Sequence, residues 1–257
     1  MKAVVVIPAY NEEENIGKLL DILFSSVFPN IKAWKIGVVV VDGHSHDRTR
    51  EIVAARMKQY PDLRLISQPR RNGIGGAYME GFAFAVNELK SDAVIEFDAD
   101  FQHPPESIGR LLEKIDEGYD YVLGSRNIKG GGETADRNKM RSLLTRLGGF
   151  VARVILFFPG ENFHKVTDPT TGLRVTRVKG CLDKVNLNPG SLFDRGFAYK
   201  IQLLHEIVLN DAEYGEIPLL FGNRLAGKSK MNLATVWNIL AVCLKCRMRG
   251  GKRKFKI

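Results

Sequence analysis

A chain of 257 residues with 44% hydrophobic and 26% charged residues has the composition of an ordinary folded domain. It contains no apolar run near the about 20 residues that a membrane-spanning helix needs. Of the net charge of +9, seven Lys/Arg lie in residues 245–257 with no acid among them, which leaves the rest nearly neutral and concentrates the basic character at one end. The N-terminal run Ala3–Ile7 is too short for a signal peptide and reads as a strand. Further short β-branched runs at Ile36–Val41, Leu63–Ser67, Ala93–Phe97 and Tyr119–Leu123 predict buried parallel strands. Segments of helical character lie between them at Glu12–Ser25, Asp47–Tyr60, Gly75–Lys90 and Pro105–Glu117. Asn11 with Glu14 reads as a capping box for the first helix, and Pro104-Pro105 suits the first turn of the fourth. The second half is less regular. A glycine loop at 130–132 precedes a helix over about Lys139–Phe158, then a strand at Thr171–Thr176. A helix at Phe197–Asn210, a strand at Glu216–Phe221 and an apolar helix at Met231–Leu244 follow. Strand–helix alternation predicts an α/β fold with an open, mostly parallel, Rossmann-like sheet flanked by helices. Residues 1–230 are expected to form one domain, and 231–257 an amphipathic helix with a polybasic tail.

Ligands of such sheets bind beyond the carboxyl ends of the strands, and every early strand ends in suitable residues. These are Pro8-Ala9-Tyr10-Asn11-Glu12, Asp42-Gly43-His44-Ser45, Arg70 to Gly76, Asp98 to His103 and Gly124-Ser125-Arg126. Asp98 and Asp100 lie two apart, so in an extended segment their carboxylates share a side. With Gln102 continuing the spacing, they offer the hard oxygen ligands that suit Mg2+ or Mn2+. A bare pair of acids at this spacing also occurs in solvated turns; the buried strand before it and the Gln-His-Pro-Pro after it favour the metal reading. Asp42 suits a hydrogen bond from a base or ribose, or a capping role. Glycines 73, 75 and 76 either admit a phosphate to the backbone or serve a turn. His44 and His46 read as solvated loop residues, and His103 as a shaper of its turn. Cys181, Cys243 and Cys246 read as unpaired, since a lone C-x-x-C lacks further zinc ligands.

The run Val6 to Glu13 resembles the opening of inverting family-two glycosyltransferases of the GT-A fold, and Val40 to Thr49 resembles their second motif. Asp98-Ala99-Asp100-Phe101-Gln102-His103-Pro104-Pro105-Glu106 is similar to the metal motif of their polyprenol (dolichyl) phosphate mannose synthase branch. Also similar to that branch are Gly124–Arg126, the helix with Arg141, Thr145 and Arg146, the segment Asp168–Gly172, and Arg224, Gly227, Ser229 and Lys230. The resemblance implies that Pro8, Tyr10, Glu12, Val40 and Asp42 hold the donor nucleoside, with Ala99 beside them. It implies that Asp98, Asp100 and Gln102 hold the metal, and that Arg224 and Lys230 contact the donor diphosphate. Arg126, Arg141 and Thr145 would receive the acceptor phosphate. Gly43 stands where many relatives carry a second acid, and Lys200 where more acidic character is expected.

The implied reaction moves mannose from GDP-mannose to a polyprenyl (dolichyl) phosphate in one inverting step, with Asp100, Arg126 and Arg141 central. A UDP-sugar donor of glucose or N-acetylglucosamine is the nearest alternative. A nucleic-acid-binding role would suit the basic tail, but no recognised motif supports it and no nucleic acid partner is expected. A lipid acceptor implies peripheral attachment to the cytoplasmic side of a membrane. The apolar run 150–158 and the helix before the basic tail are the candidate contacts.

Overall fold

The computed structural model describes residues 1–134, 139–160, 162–223 and 233–253, with only the backbone path for 139–144, 233–234 and 250–253. The elements in chain order begin with β1 (Lys2–Ala9), α1 (Ile16–Ile22), β2 (Lys35–Asp42), α2 (Thr49–Met57), β3 (Leu63–Ser67) and α3 (Gly73–Asn87). They continue with β4 (Ala93–Glu96), α4 (Ser107–Asp116), β5 (Tyr121–Ser125), β6 (Gly132–Glu133), α5 (Lys139–Phe157), α6 (Asn162–Lys165) and β7 (Arg174–Arg177). The last are α7 (Tyr199–Leu209), β8 (Tyr214–Pro218), β9 (Leu220–Phe221) and α8 (Leu233–Arg253).

Seven strands form one sheet in the order β3-β2-β1-β4-β7-β5-β8. All neighbours run parallel except β7, which lies antiparallel between β4 and β5. β1 and β2 are buried on both faces because their side chains alternate between two cores. Val5, Ile7, Val38 and Val40 pack with α1 and α4 through Leu19, Leu20, Leu111 and Ile115. Val4, Val6, Val39 and Val41 pack on the other face with α3 and α7 through Phe82, Tyr78, Ile201 and Leu204. This is the mostly parallel, helix-flanked sheet expected of a GT-A fold.

Three local expectations change. Asn11 does not cap a helix: its φ is 54°, its side-chain oxygen accepts the His46 N–H at 3.0 Å, and α1 starts only at Ile16. The single strand expected at Glu216–Phe221 divides into β8, paired with β5, and β9, paired with β6. The last helix extends past Leu244 to Arg253 and packs on α5 and α7, with Val242, Cys243 and Cys246 buried. All three cysteines are free, and burial pushes the Cys243 and Cys246 thiols up to about 12.

Candidate functional site

The parallel register sets Ala9 beside Asp42 and Asp42 beside Ser67, so the residues after β1, β2 and β3 emerge at one edge. Pro8, Tyr10, Glu12, Asp98, Ala99 and Asp100, all singled out from sequence, line a single cleft there. Arg71 stacks on the Tyr10 ring at 4.1 Å and lines the same cleft. The loop after β1 is held by the loop after β2: Asn11 N–H donates to Ser45 Oγ and Glu12 N–H to Thr49 Oγ1, each at 2.9 Å. Val40 is fully buried in the core, and its side chain does not line the cleft. Asp42 is wholly buried and its side chain does not line the cleft; its Oδ2 accepts the Ser45 N–H at 3.1 Å. His44 is half-buried with its ring edge-on to exposed His46.

Asp98 and Asp100 follow β4 directly. Asp98 Oδ1 accepts the Tyr78 hydroxyl at 2.9 Å, while its Oδ2 lies 3.7 Å from Lys200 Nζ and 3.9 Å from His103 Nδ1. Burial and the Asp98 charge push the Tyr78 hydroxyl well above its ordinary value, so it stays a donor. Asp100 Oδ1 accepts the Gln102 N–H at 3.1 Å across a turn in which Phe101 takes φ 62°. Gln102 Nε2 donates to Gly222 O at 3.3 Å, tying this turn to the chain just beyond β9. His103 is packed edge-on to Phe97 and Phe221, and burial brings it down to about 4, so its ring is neutral and apolar contact dominates its role.

No group of three or more His, Cys, Asp or Glu placed to hold a metal occurs among the described residues. Two carboxylates with an amide fit an ion that takes one or two carboxylates and completes its shell with phosphate and water. The acidic pair also has a cation built in beneath it. Lys200 is 4% exposed, and its Nζ lies 2.5 Å from where a Cβ on Gly172 would sit.

The glycines after β3 admit close approach of protein, and Gly73 also lines the cleft. Gly75 N–H donates to Arg195 O at 2.8 Å, and a Cβ on Gly75 would fall 2.7 Å from Tyr199 Cβ. Gly73, at φ 74°, approaches the same Arg195 carbonyl. These close approaches bring α7, and with it Lys200, against the cleft.

Arg126 follows β5 and is held in a fork: Nε and Nη2 each donate to Asp168 at 2.7 Å, and Nη2 also to Thr170 Oγ1 at 2.9 Å. Its Nη1 lies 3.7 Å from Glu133 Oε1. Burial alone would raise the Asp168 carboxyl, but the Arg126 charge and hydrogen bonds hold it below the usual carboxylate range. The same segment approaches α5, where a Cβ on Gly149 would meet Pro169 at 3.9 Å. Thr145 is half-buried on α5. The Arg141 side chain, Arg224 and Lys230 lie outside the described residues. Arg174 was not visible as a site residue in the sequence. It is fully buried and donates to Thr171 O, Pro169 O, Tyr121 Oη and Lys200 O, fastening the 168–172 segment to α7.

The structure is similar to glucosyl-3-phosphoglycerate synthase from Mycobacterium tuberculosis, solved with Mn2+ and UDP: TM-score 0.66 and 20% identity, over 96% of this chain and 80% of that one. Mannosyl-3-phosphoglycerate synthase from Rubrobacter xylanophilus gives TM-score 0.66 at 18% identity, over 100% and 76% of the two chains. At such identities the likeness speaks for the fold. Among curated proteins, the dolichol-phosphate mannosyltransferase of Pyrococcus furiosus is 34% identical over 93% of this chain, which spans 62% of that protein's length. The dolichol-phosphate mannosyltransferase of Saccharomyces cerevisiae is 30% identical over 89% of this chain and 80% of its own. The undecaprenyl-phosphate mannosyltransferase of Micrococcus luteus is 30% identical over 90% and 88%. The model of glycosyl transferase family 2 matches residues 4–177. The chain is therefore a glycosyltransferase, and it belongs to family 2.

Proposed function

We propose that this chain transfers mannose from GDP-mannose to a polyprenyl (dolichyl) phosphate, releasing GDP. The carrying observation is that Pro8, Tyr10, Glu12, Asp98 and Asp100 line one cleft in a chain whose relatives are polyprenyl-phosphate mannosyltransferases. Asp98, Asp100 and Gln102 would hold Mg2+ or Mn2+. Once bound, such an ion supplies positive charge against the diphosphate leaving group.

The chain's own residues have the remaining tasks. The nucleophile is a phosphate oxygen, already anionic at neutral pH, so positioning matters more than proton removal. Arg126, Arg141 and Thr145 are the proposed acceptor-phosphate contacts. Arginine suits this work through planar, bidentate hydrogen bonding, and Asp168 fixes the plane of Arg126. Arg224 and Lys230 are proposed to face the donor diphosphate, and Tyr10 to carry the nucleoside. Attachment is proposed to be peripheral, on the cytoplasmic face of a membrane. No helix among the described residues is long and apolar enough to cross one.

Incubation with labelled GDP-mannose, a short polyprenyl phosphate and Mn2+, followed by lipid extraction, tests the assignment. Label should enter the lipid phase, and EDTA should prevent it. Asp100→Ala should lower the rate by at least about a thousandfold while leaving the circular dichroism spectrum unchanged. A near-normal rate for that variant, or transfer from UDP-glucose alone, would overturn the reading.

A further inference from the structure

We infer that Lys200 is a resident counter-cation of the acidic pair, placed so that the divalent ion is held together with the donor diphosphate and only poorly by itself. This deepens the donor reading above and rests on it. Lys200 is buried, and its Nζ lies 3.7 Å from Asp98 Oδ2. Among the described residues Asp98 is its one ion-pair partner. The other oxygen of that carboxylate accepts the Tyr78 hydroxyl at 2.9 Å. Asp98 and Asp100 both line the cleft, and the Asp98 side chain is 22% exposed. The carboxylate that faces the ammonium is therefore the one a ligand in the cleft meets.

The surroundings hold the ammonium in place. Lys200 O accepts from Arg174 Nη1 at 2.8 Å, and the preceding Tyr199 donates its hydroxyl to Glu96 Oε2 at 2.7 Å, so the first turn of α7 is fastened to the sheet. Nζ lies 6.0 Å and 5.9 Å from the centres of the Tyr78 and Tyr199 rings. Gly172 leaves the room it needs: a Cβ there would fall 2.5 Å from Lys200 Nζ and 2.8 Å from Asp98 Oδ2.

The ammonium cancels one of the two carboxylate charges. Affinity for a hard divalent ion depends on the charge of its ligands, and like charges repel strongly where protein excludes water. An ion on Asp98 would share its carboxylate with Lys200, whereas a diphosphate would be drawn to the same ammonium. One buried positive charge thus acts on the two ligands in opposite senses. It weakens the ion alone and strengthens the nucleotide alone. Lys200 acts on the ion through Asp98, as a positioning residue.

Binding measurements on the full chain test this: Mn2+ alone by loss of its free-ion paramagnetic resonance signal, and GDP by calorimetry in EDTA and in Mn2+. Wild-type GDP affinity should be at least about tenfold higher in Mn2+ than in EDTA. Lys200→Met should bind Mn2+ alone at least about fivefold more tightly, and GDP in EDTA at least about threefold more weakly. Lys200→Gln, which keeps a donor for Asp98 but not the charge, should move both affinities the same way, and it serves if Lys200→Met fails to fold. A purely structural lysine would weaken both ligands when replaced. Mn2+ affinity unchanged or reduced in the folded variants, or both ligands weakened together, overturns the role of Lys200 and leaves the donor reading standing. A wild type that binds GDP equally well in EDTA and in Mn2+ overturns the metal-linked donor reading itself.

Discussion

Asp168 shows how a single carboxylate can organise a site without lining the cleft. It is 1% exposed and grips Arg126 through two side-chain hydrogen bonds and one from the backbone N–H. Because its folded value is depressed, the stability it contributes is present above the ordinary carboxylate value near about 4 and is lost as pH falls through the folded value. Melting temperature should therefore drop on acidification from about pH 5 toward pH 3, and Asp168→Asn should flatten that drop. At pH 7 the variant should be less stable by about 3–5 kcal/mol, since it strands a buried guanidinium. Urea unfolding at pH 7 and pH 4 would check both parts; a variant as stable as the wild type at pH 7 would refute the pairing. The sequence shows Arg126 and Asp168 only as parts of motifs 42 residues apart, and nothing local reveals that one holds the other. Lys200 is a sharper case. Asp98 is legible because it ends an apolar strand, but the lysine beside it arrives from a helix about a hundred residues later. Only the fold makes them neighbours.

At the level of elements, legibility follows what surrounds each segment. The first strands are readable to within a residue or two because burial on both faces demands continuous apolar runs. β7 is harder, since its four residues Arg-Val-Thr-Arg mix a buried cation into a sheet interior. The start of α1 misleads because Asn11 and Ser45 bond between loops, and Asn11 never becomes a cap. The glycines opening α3 are ambiguous in another way, because nothing in the sequence shows Arg195 and Tyr199 packed against them. Their packing role predicts that Gly75→Ala destabilises by about 1–3 kcal/mol, because the new methyl enters the Tyr199 side chain and must push α7 away. The urea midpoint should fall while the m-value stays the same. Moving α7 also shifts Lys200 beside Asp98, so the metal dependence of transfer should change with stability. An unchanged midpoint would show that the loop yields freely.

Over the whole molecule, charge and apolar surface are unevenly spread in the same direction. The seven basic residues of 245–257 follow or lie on α8, which packs beside α5. Both helices bury one face in the second core and leave large apolar side chains outside. Phe150 and Phe158 are 51% and 54% exposed at α5, and Trp237 and Met248 are 71% and 64% exposed on α8. The charge asymmetry is plain in the sequence. That α8 is half core and half surface is not, because its buried face depends on where α5 and α7 lie. A basic, half-exposed apolar helix pair suits an anionic bilayer, where each Lys/Arg near the surface contributes about 1 kcal/mol and aromatic rings seat at the interface. Flotation with phosphatidylserine-containing vesicles at low salt should recover the protein, and about 0.5 M salt should release most of it. Replacing Trp237, Leu244 and Met248 together by Ala should weaken binding by at least about tenfold without lowering the melting temperature, since all three are exposed. Transfer to a short, water-soluble polyprenyl phosphate should survive the triple change, whereas transfer to a long-chain acceptor held in vesicles should fall with binding. Equal flotation of the wild type and the triple variant would refute a membrane contact through these side chains.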